Sequence, residues 1–139
     1  MILGWREWVG LPDLIDGSIN AKIDTGAKSC ALHAVNVRQV AQGGFDFVEF
    51  LTWSGGDCRK SRKFCIAPLL TTRTIRSSNG EAQERFVVDI DLCIGQQRVR
   101  ADVTLADRSE MTHQMLIGRD VLGGRFIVDP SLSYATDEK

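Results

Sequence analysis

The stretch Arg98 to Leu105 alternates without a fault. Val99, Ala101, Val103 and Leu105 fall on one side, and Arg98, Arg100, Asp102 and Thr104 on the other. A period of two sorts residues by face only in an extended chain, so this stretch is a strand with its apolar side inward. The run before it, Arg85 to Ile94, repeats the pattern, with Val88, Ile90, Leu92 and Ile94 set against Asp89, Asp91 and Cys93. Gly95-Gln96-Gln97 turns one run into the other. This hairpin is the frame against which the rest of the chain must pack.

The remaining segments read the same way. Leu3 to Leu11, with Trp5 and Trp8, is a first strand stopped by Pro12, and Asp16-Gly17 turns the chain into the strand Ser18 to Ile23. Cys30 to Val37 is the next strand, ended beyond by Gly43-Gly44, and Phe45 to Trp53 alternates before the turn Ser54-Gly55-Gly56-Asp57. Arg59 to Lys63 is a basic loop or hairpin edge, and Phe64 to Ala67 resumes a strand up to Pro68. Thr71 to Arg76 is rich in β-branched residues and runs into Ser77-Ser78-Asn79-Gly80, where Asn-Gly is a strong hairpin signal. After the polar loop Asp107 to Thr112 come a short buried strand, Gln114 to Ile117, and at most a turn or two of helix at Asp120 to Leu122. A last strand, Phe126 to Val128, closes at Asp129-Pro130. Many short strands with turn signals between them predict an all-β barrel or sandwich with one very short helix. The 139 residues fit one domain, residues 1–134, with a loose tail at 135–139. The apolar ends, Met1 to Val9 and Phe126 to Val128, are open to pairing with a second subunit.

Charge and composition exclude several classes. A net charge of −1 gives no global basic field for nucleic acid. No apolar run approaches the roughly 20 residues of a membrane helix. The start, Met1-Ile2-Leu3-Gly4-Trp5-Arg6-Glu7, lacks the apolar core of a signal peptide, which sets the expectation of a cytoplasmic protein. Cys30, Cys58, Cys65 and Cys93 contain no C-x-x-C pair, and in that compartment the default is reduced thiols, although Cys58 and Cys65 could face each other across a hairpin. Cys30 and His33 are three apart and His113 is distant, a spacing with no positive signal for zinc. No phosphate-binding loop is present. Neither a metal nor a cofactor is expected.

The chemistry-bearing stretch is Lys22-Ile23-Asp24-Thr25-Gly26-Ala27-Lys28, where an alternating strand (Ile19, Ala21, Ile23) delivers a carboxylate into a turn. A rigid strand ending in a loop is a good mount for a reactive acid, and the neighbouring hydroxyl and glycine amide are donors that orient it. By itself Asp-Thr-Gly also describes an ordinary strand-end turn. A second stretch far downstream, Met115-Leu116-Ile117-Gly118-Arg119-Asp120, changes the weight of the first.

Asp24-Thr25-Gly26-Ala27 followed by Leu116-Ile117-Gly118-Arg119 resembles the retropepsin-type aspartic proteases, with the Asn79-Gly80 hairpin where those enzymes carry a flap. Gly4-Trp5-Arg6-Glu7, Ala31-Leu32-His33-Ala34 and Val128-Asp129-Pro130 narrow the resemblance to a bacterial branch. That branch is called "ATP-dependent zinc protease" and is associated with an ATP-grasp glutamate ligase that tails a ribosomal protein. The resemblance implies a closed β-barrel with a flap hairpin. It also implies a homodimeric aspartic peptidase in which Asp24 of each subunit forms a water-activating dyad, because two carboxylates sharing one proton are needed and only one Asp-Thr-Gly occurs per chain. Thr25 would brace the two active-site loops, Gly26 would let the substrate backbone approach, and Gly118 would let the Leu116-Ile117 strand pass tightly behind the Asp24 loop. The arginine matching Arg119 pairs in retropepsins with an acid just after Asp-Thr-Gly; here Ala27-Lys28-Ser29 supplies none.

Ala27 and Lys28 beside the acid, with Arg73, Arg76, Asn79, Gly80 and Arg85 on the flap hairpin, are the expected substrate contacts. Doubled by a two-fold axis they give a basic cleft in a nearly neutral protein, which favours an acidic peptide. The resemblance implies the same class, the glutamate tail of a ribosomal protein. The segment Val35 to Leu70 is longer than in compact retroviral enzymes and is read as an extra hairpin that blocks, shapes or replaces part of the cleft. Two other functions stay open: a non-catalytic peptide-binding module on the same fold, and a metal-dependent peptidase using His33, His113, Cys30 or carboxylates.

Overall fold

The alternation of the central hairpin translates directly into burial. In a computed structural model that describes residues 1–54, 62–76 and 80–136, β8 (Ala82–Ile94) and β9 (Gln97–Ala106) pair antiparallel with Val88 opposite Val103 and Leu92 opposite Val99. Val88, Ile90, Leu92, Ile94, Val99, Ala101, Val103 and Leu105 are all buried. The outer face carries an ion-pair ladder: Arg100 bridges Asp89 and Asp91, and Arg98 meets Asp91 at 2.7 Å. Thr104 departs from the expected pattern by being buried. Its partner across β8, Val87, is buried as well, so both faces of the sheet are covered at this level.

The other strands close a ring on this hairpin. They are β2 (Arg6–Gly10), β3 (Ser18–Ile23), β4 (Cys30–His33), β5 (Val35–Gln42), β6 (Phe45–Trp53), β7 (Arg62–Arg76) and β10 (Met115–Ile117). The sheet order is β2-β3-β10-β4-β9-β8-β7-β6-β5, and a further pairing of β2 with β8 joins the first strand back to the sixth. Closure covers the end of the β2 edge, which would otherwise be open to aggregation, and leaves β5 as the edge strand. The core fills the ring, with Val9, Ile19, Ala21, Leu32, Met115 and Ile117 fully buried. The fold is therefore all-β, with one short helix among the described residues, α1 (Arg119–Leu122), directly after β10.

Three expected strand boundaries change. The first strand is two pieces, β1 (Ile2–Leu3) and β2, because the chain steps aside at Gly4 and Trp5. A side chain on Gly4 would collide with the Leu132 carbonyl, and the Trp5 amide donates to that same oxygen at 2.9 Å. The strand expected over Cys30 to Val37 breaks at Ala34, whose amide turns to Ala106, and a bulge follows at Asn36 with φ 54°. Pro68 does not stop a strand: β7 runs through it, with a register shift between Leu69 and Thr71. The extra hairpin of Val35 to Leu70 is thus β5–β6 laid on the same long strand that continues into the Asn-Gly hairpin.

The chain ends pair with each other. β1 runs parallel to β11 (Ile127–Val128), Ile2 opposite Ile127, while Met1, Ile2 and Ile127 remain at least half exposed. Two residues of the expected loose tail, 135–139, are held: the Ala135 and Thr136 amides and the Thr136 hydroxyl donate to the buried carboxylate of Glu7. Residues 137–139, like Cys58, most of the basic run and Asn79, lie outside the described residues.

Candidate active site

Asp24 stands where β3 leaves the sheet, and β10 holds it there. Three parallel partners, Ala21 with Met115, Lys22 with Leu116 and Ile23 with Ile117, carry the register up to the acid. The Asp24 amide then donates to Ile117 at 2.9 Å. The turn closes on the carboxylate itself, since the Gly26 amide donates to Asp24 Oδ1 at 2.9 Å and the Ala27 amide to the Asp24 carbonyl. A carboxylate held by a backbone donor within its own turn has a fixed direction before any ligand arrives.

The back of the loop is sealed by the Gly118-Arg119 step. A Cβ on Gly118 would stand 2.9 Å from the Ala27 carbonyl oxygen and closer still to that of Ser29, so only glycine lets the two segments touch. From there the Arg119 amide donates to Ala27 and the Asp120 amide to Lys28. The Arg119 side chain has the partner that the sequence withheld, the Thr25 carbonyl at 3.0 Å. Leu116 and Ile117 form the strand behind the loop, with Ile117 buried in the core. Thr25, Gly26 and Lys28 face out. Among the described residues the Thr25 hydroxyl has no hydrogen-bond partner.

The basic hairpin is only partly within view. Arg73 lies directly opposite Arg85 across β7 and β8, so both guanidiniums project from one face. Arg85 bonds Gln83 on its own strand. The side chain of Arg76 and all of Asn79 lie outside the described residues, and Gly80 sits in the hairpin turn with φ 87°. A cleft of about 480 Å³ opens beside Arg85 and Phe86, lined also by Val35, Asn36 and Asp107; Asp24 does not border it.

The structure does not bring the three metal candidates together. The Cys30 thiol lies behind the Asp24 loop, accepts from the Gly118 amide, and is pushed up to about 11 by burial. His33 stacks on Trp53 at 5.0 Å, and its Nδ1 accepts from the Arg108 amide at 2.8 Å. His113 packs edge-on against Trp5. Burial holds both imidazoles below their ordinary range, and for His113 the cations Arg6, Lys22 and Arg108 act in the same direction. Among the described residues no three His, Cys, Asp or Glu side chains form a metal-holding group.

Arg108 is the residue that sequence reading passed over. It lies in the stretch taken as a plain polar loop, between Asp107 and Ser109, and nothing in its neighbours distinguishes it from a solvated charge. In the folded chain it is half-buried, with its Nε donating to the His113 carbonyl.

The family described as Retropepsin-like aspartic endopeptidase RimB has a sequence model that matches residues 2–139. Relatives named probable alpha-L-glutamate ligase are 34% identical over 138 residues in Shewanella pealeana and 33% identical over 137 residues in Desulfotalea psychrophila. Each match covers 99% of this chain, which spans 30% of the length of those curated relatives. A solved structure, that of the Legionella pneumophila protein Lpg0085 of unknown function, superposes with a TM-score of 0.82 at 26% identity over 97% of both chains. The match runs the length of the chain, and the chain belongs to the RimB-like family of retropepsin-like aspartic endopeptidases.

Proposed function

We propose that two copies of this chain form an aspartic peptidase with Asp24 of each at the two-fold axis, acting on peptides with acidic tails. The observation that carries this reading is the Asp24 turn: a carboxylate at an exposed strand end, oriented by the Gly26 amide and locked from behind by β10. One such turn is half a site. Two carboxylates a few ångströms apart cannot both ionise cheaply, so the pair shares a proton; the ionised partner takes a proton from water while the protonated one donates to the scissile carbonyl.

Dimer formation has two supports. Asp24 does not border the cleft of about 480 Å³ beside Arg85, as fits a site completed by a second copy. The β1–β11 pair leaves Met1, Ile2 and Ile127 exposed, an apolar surface suited to self-association. The unpartnered Thr25 hydroxyl is available to brace the facing loop. The acidic-substrate reading is supported by Arg73 and Arg85 sharing one face, with Lys28 exposed beside the acid. The relatives' name, a glutamate ligase, supplies a natural chemistry for such a substrate: a glutamate tail added by the ligase and trimmed by this domain, whether the two are separate or joined.

The test is release of glutamate from a poly-glutamate-tailed peptide by the wild type and by Asp24→Asn, each with and without a chelator, alongside sedimentation of the active protein. Release by the wild type alone, unchanged by chelator, from a dimeric species supports the whole reading. Equal release by the variant removes Asp24 from the chemistry. Release that stops with chelator transfers the chemistry to a metal, and activity from a stable monomer ends the dyad.

A further inference from the structure

Arg108 has an environment that a solvated arginine does not need. Its backbone amide is fixed by His33 Nδ1, and His33 is itself immobilised: it is almost fully buried, stacked on Trp53, and its carbonyl accepts from the Thr52 hydroxyl at 2.7 Å. On either side, Asp107 accepts from the Ser109 amide and hydroxyl, closing a tight turn around Arg108. The side chain uses its Nε on the His113 carbonyl, and among the described residues the two terminal nitrogens of the fork have no hydrogen-bond partner. The His113 that it contacts packs on Trp5, whose carbonyl accepts from the Ile23 amide one residue before Asp24, so Arg108 and the Asp24 turn share neighbours. Burial draws the guanidinium below its ordinary range, with Arg85 adding to that effect and Asp24 opposing it. The strand register agrees. The β8–β9 ladder that pairs Val87 with Thr104 brings Arg85 to the end of β9, from which the Arg108 turn departs. Arg85 is in turn opposite Arg73. Like charges placed face to face cost stability. Among the described residues neither Arg108 nor Arg85 has an ion-pair partner.

We infer that Arg108, with Arg85, forms a carboxylate-binding subsite next to Asp24 that selects an acidic side chain of the peptide at the cleaved bond. The warrant is the pre-set fork. A planar guanidinium with two free parallel donors matches a carboxylate in a way that an amide side chain of the same shape does not. The half-buried setting strengthens that discrimination relative to one made in open water. Arg108 is a specificity residue in this account; the proton transfers remain with the Asp24 pair. The inference rests on the acidic-peptide reading above and supplies the residue that reads the charge.

The experiment compares two peptides of one sequence, one with glutamate and one with glutamine flanking the cleaved bond. The wild type is expected to favour glutamate in kcat/KM by about 10- to 100-fold, the range of a charge-assisted hydrogen-bonded pair. Arg108→Gln is expected to bring that ratio to within about 3-fold of unity, Arg108→Lys to leave an intermediate ratio, and Arg108→Glu to turn the preference toward a lysine peptide. The lysine variant keeps the question answerable should the glutamine variant fold poorly. If Arg108→Gln slows both peptides equally and keeps the ratio, Arg108 merely supports the loop and the inference fails. A wild type that cleaves both peptides alike overturns it too. Calorimetric binding of the same peptides to Asp24→Asn protein, with and without Arg108→Gln, separates this from the peptidase reading. Charge-selective binding lost with Arg108 sustains the subsite even where nothing is hydrolysed, and equal binding of the two peptides refutes it.

Discussion

The Asp24 loop and the β7–β8 hairpin are built on opposite terms. In the loop, backbone groups turn inward to partners in the same chain: Asp24 to Ile117, Arg119 to Ala27 and Thr25, and Asp120 to Lys28. Gly118 brings the two segments so close that no side chain fits between them. In the hairpin, Arg73 stands opposite Arg85, like charge against like. One region spends its contacts on rigidity, the other leaves them unspent. A reacting carboxylate needs its position settled in advance, whereas a surface that reads a charged ligand must keep its donors open until the ligand arrives.

The largest expected effect breaks the comparison at its rigid end. Asp24→Asn keeps an oxygen for the Gly26 amide, so the fold should hold, with an unchanged urea midpoint, while peptide hydrolysis falls by about 10³-fold or more. Activity near the parent's level would reduce the loop to a strand-end turn. Next comes the seal behind it. Gly118→Ala forces a methyl group against the Ser29 and Ala27 carbonyls and should cost at least the ~1–3 kcal/mol of an overpacked core, read from denaturant unfolding. Parent-like stability would mean that the strand behind the loop is free to move away.

A third prediction concerns the histidine beneath Arg108. Its Nδ1 must be unprotonated to accept from the Arg108 amide, and burial keeps the imidazole below its ordinary 6.5. The unfolded chain therefore takes up the proton first. His33 favours the folded state in full above about pH 6.5, and that contribution declines as the pH falls toward the lower folded value. Unfolding midpoints measured from pH 7.5 to pH 5 should slope downward in this window, and His33→Gln should flatten the slope. The smallest effect is at the hairpin. Arg73→Gln removes a like-charge pair and should raise stability by about 0.2–1 kcal/mol while weakening the preference for acidic peptides. A loss of both would show the pair to be a structural contact, and the contrast between the two regions would close.

The residues that sequence pattern read well are those governed by local rules. The faces of Arg85 to Ile94 and Arg98 to Leu105, the short helix after β10, and the Asp24 turn with Gly118 behind it follow from a period of two, from turn chemistry and from a resemblance carried by two motifs. Distant contacts overrode the local signals elsewhere. Gly4 looks like a strand interior residue until Leu132 occupies its side-chain space, and Pro68 looks like a stop until an adjacent bulge lets β7 continue. Val35 to Gln42 shows no clean alternation because it lies at the sheet's edge and buries neither face well.

The turn that carries Asp24 was legible from the order of residues, since the acid, hydroxyl and glycine are contiguous and a strand end dictates how they are shown. Arg108 was not. Its distinction from the exposed charges around it consists of a histidine 75 residues away that accepts its amide, and of Arg85 and Asp24, which the ring of strands brings to its side. The sequence by itself determined the all-β class, the inward faces of the central hairpin and the turn that carries Asp24. Only the tertiary structure decided which charge leaves the solvent, because desolvation depends on what packs above a residue and not on what precedes it in the chain.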